Sequence, residues 1–540
     1  MAQAFHVASA VPVKGPIKPS NCCSDLAVRL GATTLIESAP DEAACAVRSE
    51  RKKVIIVGAG ISGLRAAAVL HRYGCEVVIL EARDRIGGRI LTSRKGDKVR
   101  DIGKADLSTT GAAWMHETSQ NGLVKLIPQL SIPYYYDDGM PLYFTREGRA
   151  GSQFKAKKVA DEFADYCEWY YETNPDAEDH PVDDFVKQFV LQHQLITDDE
   201  RLWAPQAVRE VELWIGTSTE QASSKHLSYF ITERNLYMKG GYDRIVNWTA
   251  EPLRDEPNMI RFNHLVQHVE CSDDADEPVR IQCTDADGTP LVVEGDAVVM
   301  TLPLGVYHHN LVSFNPPLPS DIQEGISKFS YGALGKVFFE FSDVFWSKDN
   351  DQFMFYPSPA EEDSLSASSV QSSTSTSSMG EKDNILNYAT VTINLWIMTG
   401  AKELCVQIAE PLTQRIEAMT DSKEIYKFFE PLFKLFRTEP YKALPRLLSV
   451  ETTHWTQDAL AGYGTYSADK VGDDPDMFVD ALDAHKHSRM QFAGEHCTMV
   501  ANGCVHGAFR TGEVAATNLL ETFGIPLDGR DIGVNDKLAT

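Results

Sequence analysis

Apolar residues in this chain fall into runs of recognisably different period. Lys53 to Val57 and Cys75 to Leu80 are short, continuous apolar runs, the pattern of strands buried on both faces, and the alanine-rich stretch between them reads as a helix. Val292 to Pro303 has the same character and predicts one more buried strand ending at a loop. Residues 155–238 switch to helical periodicity on an acidic background, and Lys239-Gly-Gly-Tyr242 is a turn that opens a new helix. From Arg489 to about Phe523 the order is short strand, glycine-bearing loop, helix. Nucleotide-type elements thus recur at the start, middle and end of the chain. The fold class expected is α/β: a Rossmann-like domain assembled from 51–115, 240–320 and 450–525, with an α+β domain from 116–239 and 321–449 carrying the substrate. Residues 1–50 lack sustained periodicity and are expected to be a poorly ordered extension. The serine-rich insert 358–384 is expected to be disordered, because it buries too little apolar area to offset ordering entropy, and 526–540 is a tail.

The first strand runs directly into Gly58-Ala-Gly60-Ile61-Ser62-Gly63. Glycine at 58 permits a tight turn, at 60 lets a backbone approach a pyrophosphate, and at 63 lets the helix pack close to the strand. The amides opening the helix at Ile61 and Ser62 then face phosphate oxygens. Glu81 ends the second strand, where a carboxylate accepts hydrogen bonds from ribose hydroxyls. After it, Ala82-Arg83-Asp84-Arg85-Ile86-Gly87-Gly88-Arg89 adds a second close backbone approach at Gly88 and a fixed cationic fork at Arg89. A glycine triplet alone is weak evidence; strand, helix, strand and acid in order make it strong.

Length and charge narrow the rest. A chain of 540 residues exceeds a single ordinary core, and its 43% apolar content suits a globular enzyme. With 51 basic against 77 acidic residues the formal charge is -26, which argues against a general nucleic-acid binder and suits attraction of cations. No apolar run is long enough to span a bilayer and the N-terminus lacks a basic leader, so the expected location is the cytoplasm, with no membrane partner. Ten cysteines without CxxC or metal-ligand spacing read as reduced thiols, and no metal is expected.

Five segments together make the picture specific. The extension ending in Gly88-Arg89, the run Gly111-Ala-Ala-Trp114-Met-His116, the crossover Thr301-Leu-Pro-Leu-Gly305, the run Ser330 to Lys336, and Gly494-Glu495-His496 with Gly503-Cys504-Val505-His506-Gly507 occur in this order. In that order they resemble the flavin-containing amine oxidases, and within them the fungal polyamine oxidases. The resemblance implies the two-domain fold shared by amine oxidases and p-hydroxybenzoate hydroxylase. It implies FAD, held without a covalent link, because Gly464-Thr-Tyr466 offers no thiol where covalent members carry cysteine. By the same resemblance Lys336 holds a water against flavin N5, and His116 contacts the amine. Trp455 packs near the isoalloxazine, Val266 recognises adenine through its backbone, and Glu495 binds the ribityl or pyrophosphate region. The helix starting near Gly503, Cys504 and Val505 points its positive end at the flavin's pyrimidine edge.

The implied activity is oxidation of a carbon–nitrogen bond of a polyamine or related amine by hydride transfer, with dioxygen reduced to hydrogen peroxide. Small-molecule amine and dioxygen are the expected partners. The stretch Val500-Ala501-Asn502-Gly503 lacks the aromatic that many monoamine oxidases place before the helix glycine, and Ala459 to Tyr466 departs from the usual pattern. A secondary-metabolite amine or alkaloid oxidase on the same scaffold therefore stays open, as does a flavin-free binding protein reusing it.

Overall fold

The computed structural model describes residues 51–94, 107–108, 110–137, 139, 141–151, 154–227, 235–254, 258–272, 274, 276–359 and 383–527. The N-terminal extension, residues 360–382 of the serine-rich insert and the tail from 528 lie outside them.

Strand Lys53–Val57 is the centre of a five-stranded sheet, flanked by Glu76–Leu80 and then Ile260–Arg261 on one side and by Ala297–Met300 and then Met490–Phe492 on the other. All four pairings are parallel. Both faces are covered, which is why its strands read as unbroken apolar runs. Val54, Ile56, Val77, Ile79, Ala297 and Val299 pack on helices Ile61–Arg72, Asp243–Ala250 and Val505–Thr522. Ile55, Val57, Val78, Leu80, Val298 and Met300 face a four-stranded sheet built from Leu265–Glu270, Val279–Thr284, Pro290–Gly295 and Ser313–Asn315. The first and last helices lie so close that a Cβ on Gly512 would come within 2.3 Å of the Ser62 carbonyl oxygen, and Arg65 of one pairs with Glu513 of the other.

The single strand expected over 292–303 is two strands in different sheets. Pro290–Gly295 belongs to the antiparallel sheet and alternates in burial, leaving Val292 exposed, whereas Ala297–Met300 is wholly buried in the parallel sheet. The break is at Gly295-Asp296, where a Cβ on Gly295 would lie 3.0 Å from Lys53 O and the Asp296 carboxylate accepts from the Lys53 amide at 2.7 Å. A β-branched run conceals a turn of this kind when a glycine and one acid make it.

The remaining chain forms a seven-stranded sheet in the order Leu447–Thr452, Gly335–Phe341, Glu403–Ile408, Thr390–Asn394, Gln352–Phe355, Pro141–Thr145, Gly148–Arg149. Helices Ala156–Thr173, Val182–Gln192 and Asp198–Val208 cover one face through Phe338, Met354 and Cys405. Helix Ser422–Leu435 covers the other through Phe339, Phe341 and Val406. A small sheet of Trp114–Met115, Asn235–Tyr237 and Tyr135–Asp137 gathers the segments that border the site. Among the described residues no helix is long and apolar enough to cross a membrane, and no group of acidic, histidine or cysteine side chains has a metal-holding arrangement.

Candidate active site

The glycine-rich end of the site is built from backbone. Gly58 has φ +105°, which glycine adopts freely, and a Cβ there would meet Thr301 Oγ1 at 2.6 Å. At Gly63 a Cβ would lie 2.1 Å from the Gly58 carbonyl oxygen, so the helix can begin against the strand only without a side chain. Gly60 differs: a Cβ there meets no protein atom within 4 Å, and Gly60 caps the helix without a side-chain acceptor for the amides that follow. Gly88 closes the other side of this groove, its Cβ position 3.5 Å from Gly60 Cα. An uncapped helix start facing a glycine-lined groove fits a pyrophosphate.

Glu81 is buried, with Oε2 accepting from Ala59 N at 2.7 Å and Oε1 from Arg83 N at 2.8 Å. Burial raises its pKa, against those two bonds and the nearby Arg83 and Arg85. Arg83 itself is paired with Asp458 at 2.7 Å. Ala82 lies between them, and the turn 81–83 is stitched to the segment leading into strand Leu265–Glu270, through Asn263 N on Arg83 O and His264 N on Glu81 O, each at 2.9 Å. Val266, buried on that strand, is thereby brought beside Glu81.

Arg89 Nη1 donates to Glu495 Oε1 at 2.7 Å, to Thr465 O at 2.7 Å and to the Tyr331 hydroxyl at 3.1 Å. Glu495 Oε2 accepts from Ser467 Oγ at 2.7 Å and Gly503 N at 3.1 Å. Burial opposes the charge of Glu495, but Arg89, His496 and the Ser467 bond outweigh it and hold its pKa below the usual range. Glu495 therefore ties the second glycine segment to the loop that starts the C-terminal helix. That helix begins at Val505, with Gly503 at φ +69° and Cys504 as a cap that supplies no side-chain bond.

At the amine end, Lys336 is buried although its strand alternates like a half-exposed one. It shares the sheet face of Phe338, which the helices cover. Its Nζ donates to Gly111 O at 2.7 Å and stands 5.3 Å from the centre of the Trp114 ring. Burial lowers its pKa to about 8. Trp455 Nε1 donates to the adjoining carbonyl, Thr110 O, at 2.9 Å, so consecutive carbonyls are held by the two residues. His116 Nδ1 is 3.0 Å from Asn235 Oδ1 and its ring stands edge-on to Trp214 at 6.5 Å. Burial, with repulsion from His506 and Lys336, keeps its pKa below the ordinary imidazole value against the pull of Asn235 and Glu117.

The sequence profile described as flavin containing amine oxidoreductase matches residues 61–520. The chain belongs to that family. A corticosteroid-binding protein of Candida albicans is 26% identical over 88% of this chain and 97% of its own length. Polyamine oxidase 4 of Oryza sativa subsp. japonica is 28% identical over 88% of this chain and 90% of its own. The solved cyclohexylamine oxidase of Brevibacterium oxydans IH-35A superposes with a TM-score of 0.62 at 19% identity, covering 88% of this chain and all of that one, which establishes the shared fold.

In this flavin-containing amine oxidase the residues singled out from sequence converge on two connected places: the glycine groove with Glu81, Arg89 and Glu495, and the buried Lys336 with Trp455 and His116. An open cleft of about 370 Å³, lined by His308, His309, Tyr331, Tyr463 and Lys470 among others, includes none of the expected amine-site residues and meets the glycine-groove network only through Tyr331, whose hydroxyl accepts from Arg89. Sequence reading missed several partners. Aromatics from elsewhere lie close to this stretch: Tyr466 packs on Gly503, with its hydroxyl donating to Trp214 O at 2.7 Å, and Trp214 stands beside His116. Asn235 was equally invisible, since only strand pairing brings it to His116.

Asp137 was also missed. It accepts from Trp114 Nε1 at 3.1 Å, and burial together with the neighbouring Asp351 raises its pKa to about 6. The native carboxyl keeps its proton up to about pH 6, whereas the unfolded one releases it near 3.8, so stability falls as pH climbs through that window. Asp137→Asn removes that ionisation cost. Its melting temperature relative to wild type should be higher at pH 8 than at pH 4, the swing amounting to about 2 kcal/mol. A relative melting temperature that is flat across this range rejects the assignment.

Proposed function

We propose that the chain is a cytoplasmic oxidase holding FAD without a covalent link, which oxidises a carbon–nitrogen bond of a polyamine or related long cationic amine. Hydride leaves the carbon beside the nitrogen, the resulting imine is hydrolysed, and dioxygen becomes hydrogen peroxide. The observation that carries this reading is the ammonium of Lys336 buried against Gly111 and Trp114, two residues before the half-buried, low-pKa His116. Residues 51–115, 240–320 and 450–525 would form the flavin domain and the remainder the substrate domain.

The flavin, when bound, supplies the two-electron acceptor. The groove of Gly58, Gly60, Gly63 and Gly88 would hold its pyrophosphate on the amides of Ile61 and Ser62, Glu81 its ribose, and Val266 its adenine. Glu495 and Arg89 hold the C-terminal helix start in place, so that the amides after Cys504 and Val505 present positive charge to an electron-rich ring edge. Trp455 and Lys336 fix the Thr110-Gly111 backbone, and Lys336 keeps a buried proton at Nζ for a water in the site. His116, neutral near pH 7, accepts a hydrogen bond from the amine without repelling it. A neutral amine donates hydride, so kcat/KM rises with pH.

A peroxide-coupled screen tests the reading. Spermine or an N-acetylated polyamine should outperform benzylamine and tyramine. If every polyamine is inert while an aromatic amine turns over, the oxidase stands and the polyamine substrate falls. Acid precipitation of the yellow protein should leave the colour in the supernatant, because Gly464, Thr465 and Tyr466 offer no thiol. Colour retained in the pellet defeats the non-covalent assignment.

A further inference from the structure

Glu117 follows His116 directly and is one of few non-glycine residues with a left-handed backbone, φ +53°. That conformation is disfavoured for any residue with a Cβ, and glycine would fill it freely. The turn does not need the glutamate side chain: Glu117 O accepts from Gln120 N at 2.9 Å and Asn121 N at 2.8 Å, and Asn121 Nδ2 donates to His116 O at 2.9 Å. The backbone closes the turn by itself, leaving the carboxylate free for other contacts.

What it contacts is His506, in the first turn of the C-terminal helix, with Nε2 at 3.1 Å from Glu117 Oε2. That bond, against the opposing effect of burial, holds the carboxyl ionised. The side chain is 16% exposed, within reach of a solvent-borne ligand. Oε2 is taken by His506, and among the described residues none donates to Oε1. A charged acceptor thus sits one residue along from the imidazole that receives the reacting nitrogen. The arrangement suits a ligand with two nitrogens, one neutral and one charged.

We propose that Glu117 determines specificity by accepting a second ammonium group of the substrate, with His506 as the residue that positions its carboxylate. This rests on the reading of the chain as an amine oxidase with His116 at the reacting nitrogen. A carboxylate with a free oxygen binds an ammonium by a charge-assisted hydrogen bond, and a substrate with one nitrogen gains nothing from it. Preference for polyamines would then come from a local contact rather than from the overall negative charge, which attracts every cation alike.

The test compares an α,ω-diamine with a straight-chain monoamine of the same length, each as a competitor against whichever amine the wild-type holoenzyme oxidises best. In Glu117→Gln the competition constant of the diamine should rise at least tenfold while that of the monoamine rises less than threefold. His506→Gln, which leaves the carboxylate in place but unbraced, should shift the diamine in the same direction by a smaller factor. Because both competitors are measured on one preparation, a partly unfolded variant scales both alike. Equal shifts for the two competitors, or none for either, overturn the proposal and leave the oxidase reading untouched. A wild-type enzyme that oxidises no amine withdraws the functional reading and this inference with it.

Discussion

Lys336→Met should slow flavin reduction or reoxidation by about tenfold or more while flavin stays bound. Methionine matches the length of the side chain and keeps the apolar contact with Trp114, but it removes the donor to Gly111 O and the proton held at Nζ. A buried ammonium whose pKa is lowered to about 8 pays a desolvation cost that packing alone would select against. The Gly111 carbonyl left without its donor should also loosen the segment leading to His116, so part of the loss should appear as a raised KM. Stopped-flow traces matching wild type in both half-reactions would remove Lys336 from the chemistry.

Gly63→Ala should yield protein that purifies without flavin and melts well below wild type. The added Cβ would sit 2.1 Å from Gly58 O and 3.1 Å from Thr301 Oγ1, and the first of these is backbone in a turn that Thr301 holds through its bond to Val57 O at 2.6 Å. Neither the turn nor the crossover strand can retreat without breaking the parallel sheet. The cost should reach about 3 kcal/mol, the upper range for overpacking, and it falls on the groove proposed for the pyrophosphate. Gly60→Ala is the informative partner, because its Cβ meets no protein atom: it should fold like wild type and lose flavin affinity alone. Equal melting temperatures for Gly63→Ala and wild type would contradict the packing described.

The glycine turn and the parallel strands around it were legible in the chain because each requirement there is local. Glycine at 58 and 63 answers to backbone conformation and to atoms a few residues away, and the apolar runs of the parallel strands report burial on both faces wherever the strands lie. The segment order alone placed Arg89, Glu495 and the C-terminal helix in one family pattern. Alternation in Gly335–Phe341, by contrast, suggests one wet face, yet helices cover that face and bury Lys336 with Phe338. Period reports the shape of a strand and says nothing about what is laid over it. Asn235 and Asp137 carry no sequence signal, because a three-stranded sheet joining distant segments sets them opposite each other. Glu495 reads as a solvated cap by itself, and only the fold sets it between Arg89, Ser467 and Gly503. Local steric demands and the two-sided burial of the parallel strands were therefore decided by the sequence, while the cover over Gly335–Phe341 and the charges, pKa shifts and partners around Lys336 and His116 were decided by long-range packing. Those depend on distances between residues hundreds of positions apart, which no local pattern encodes.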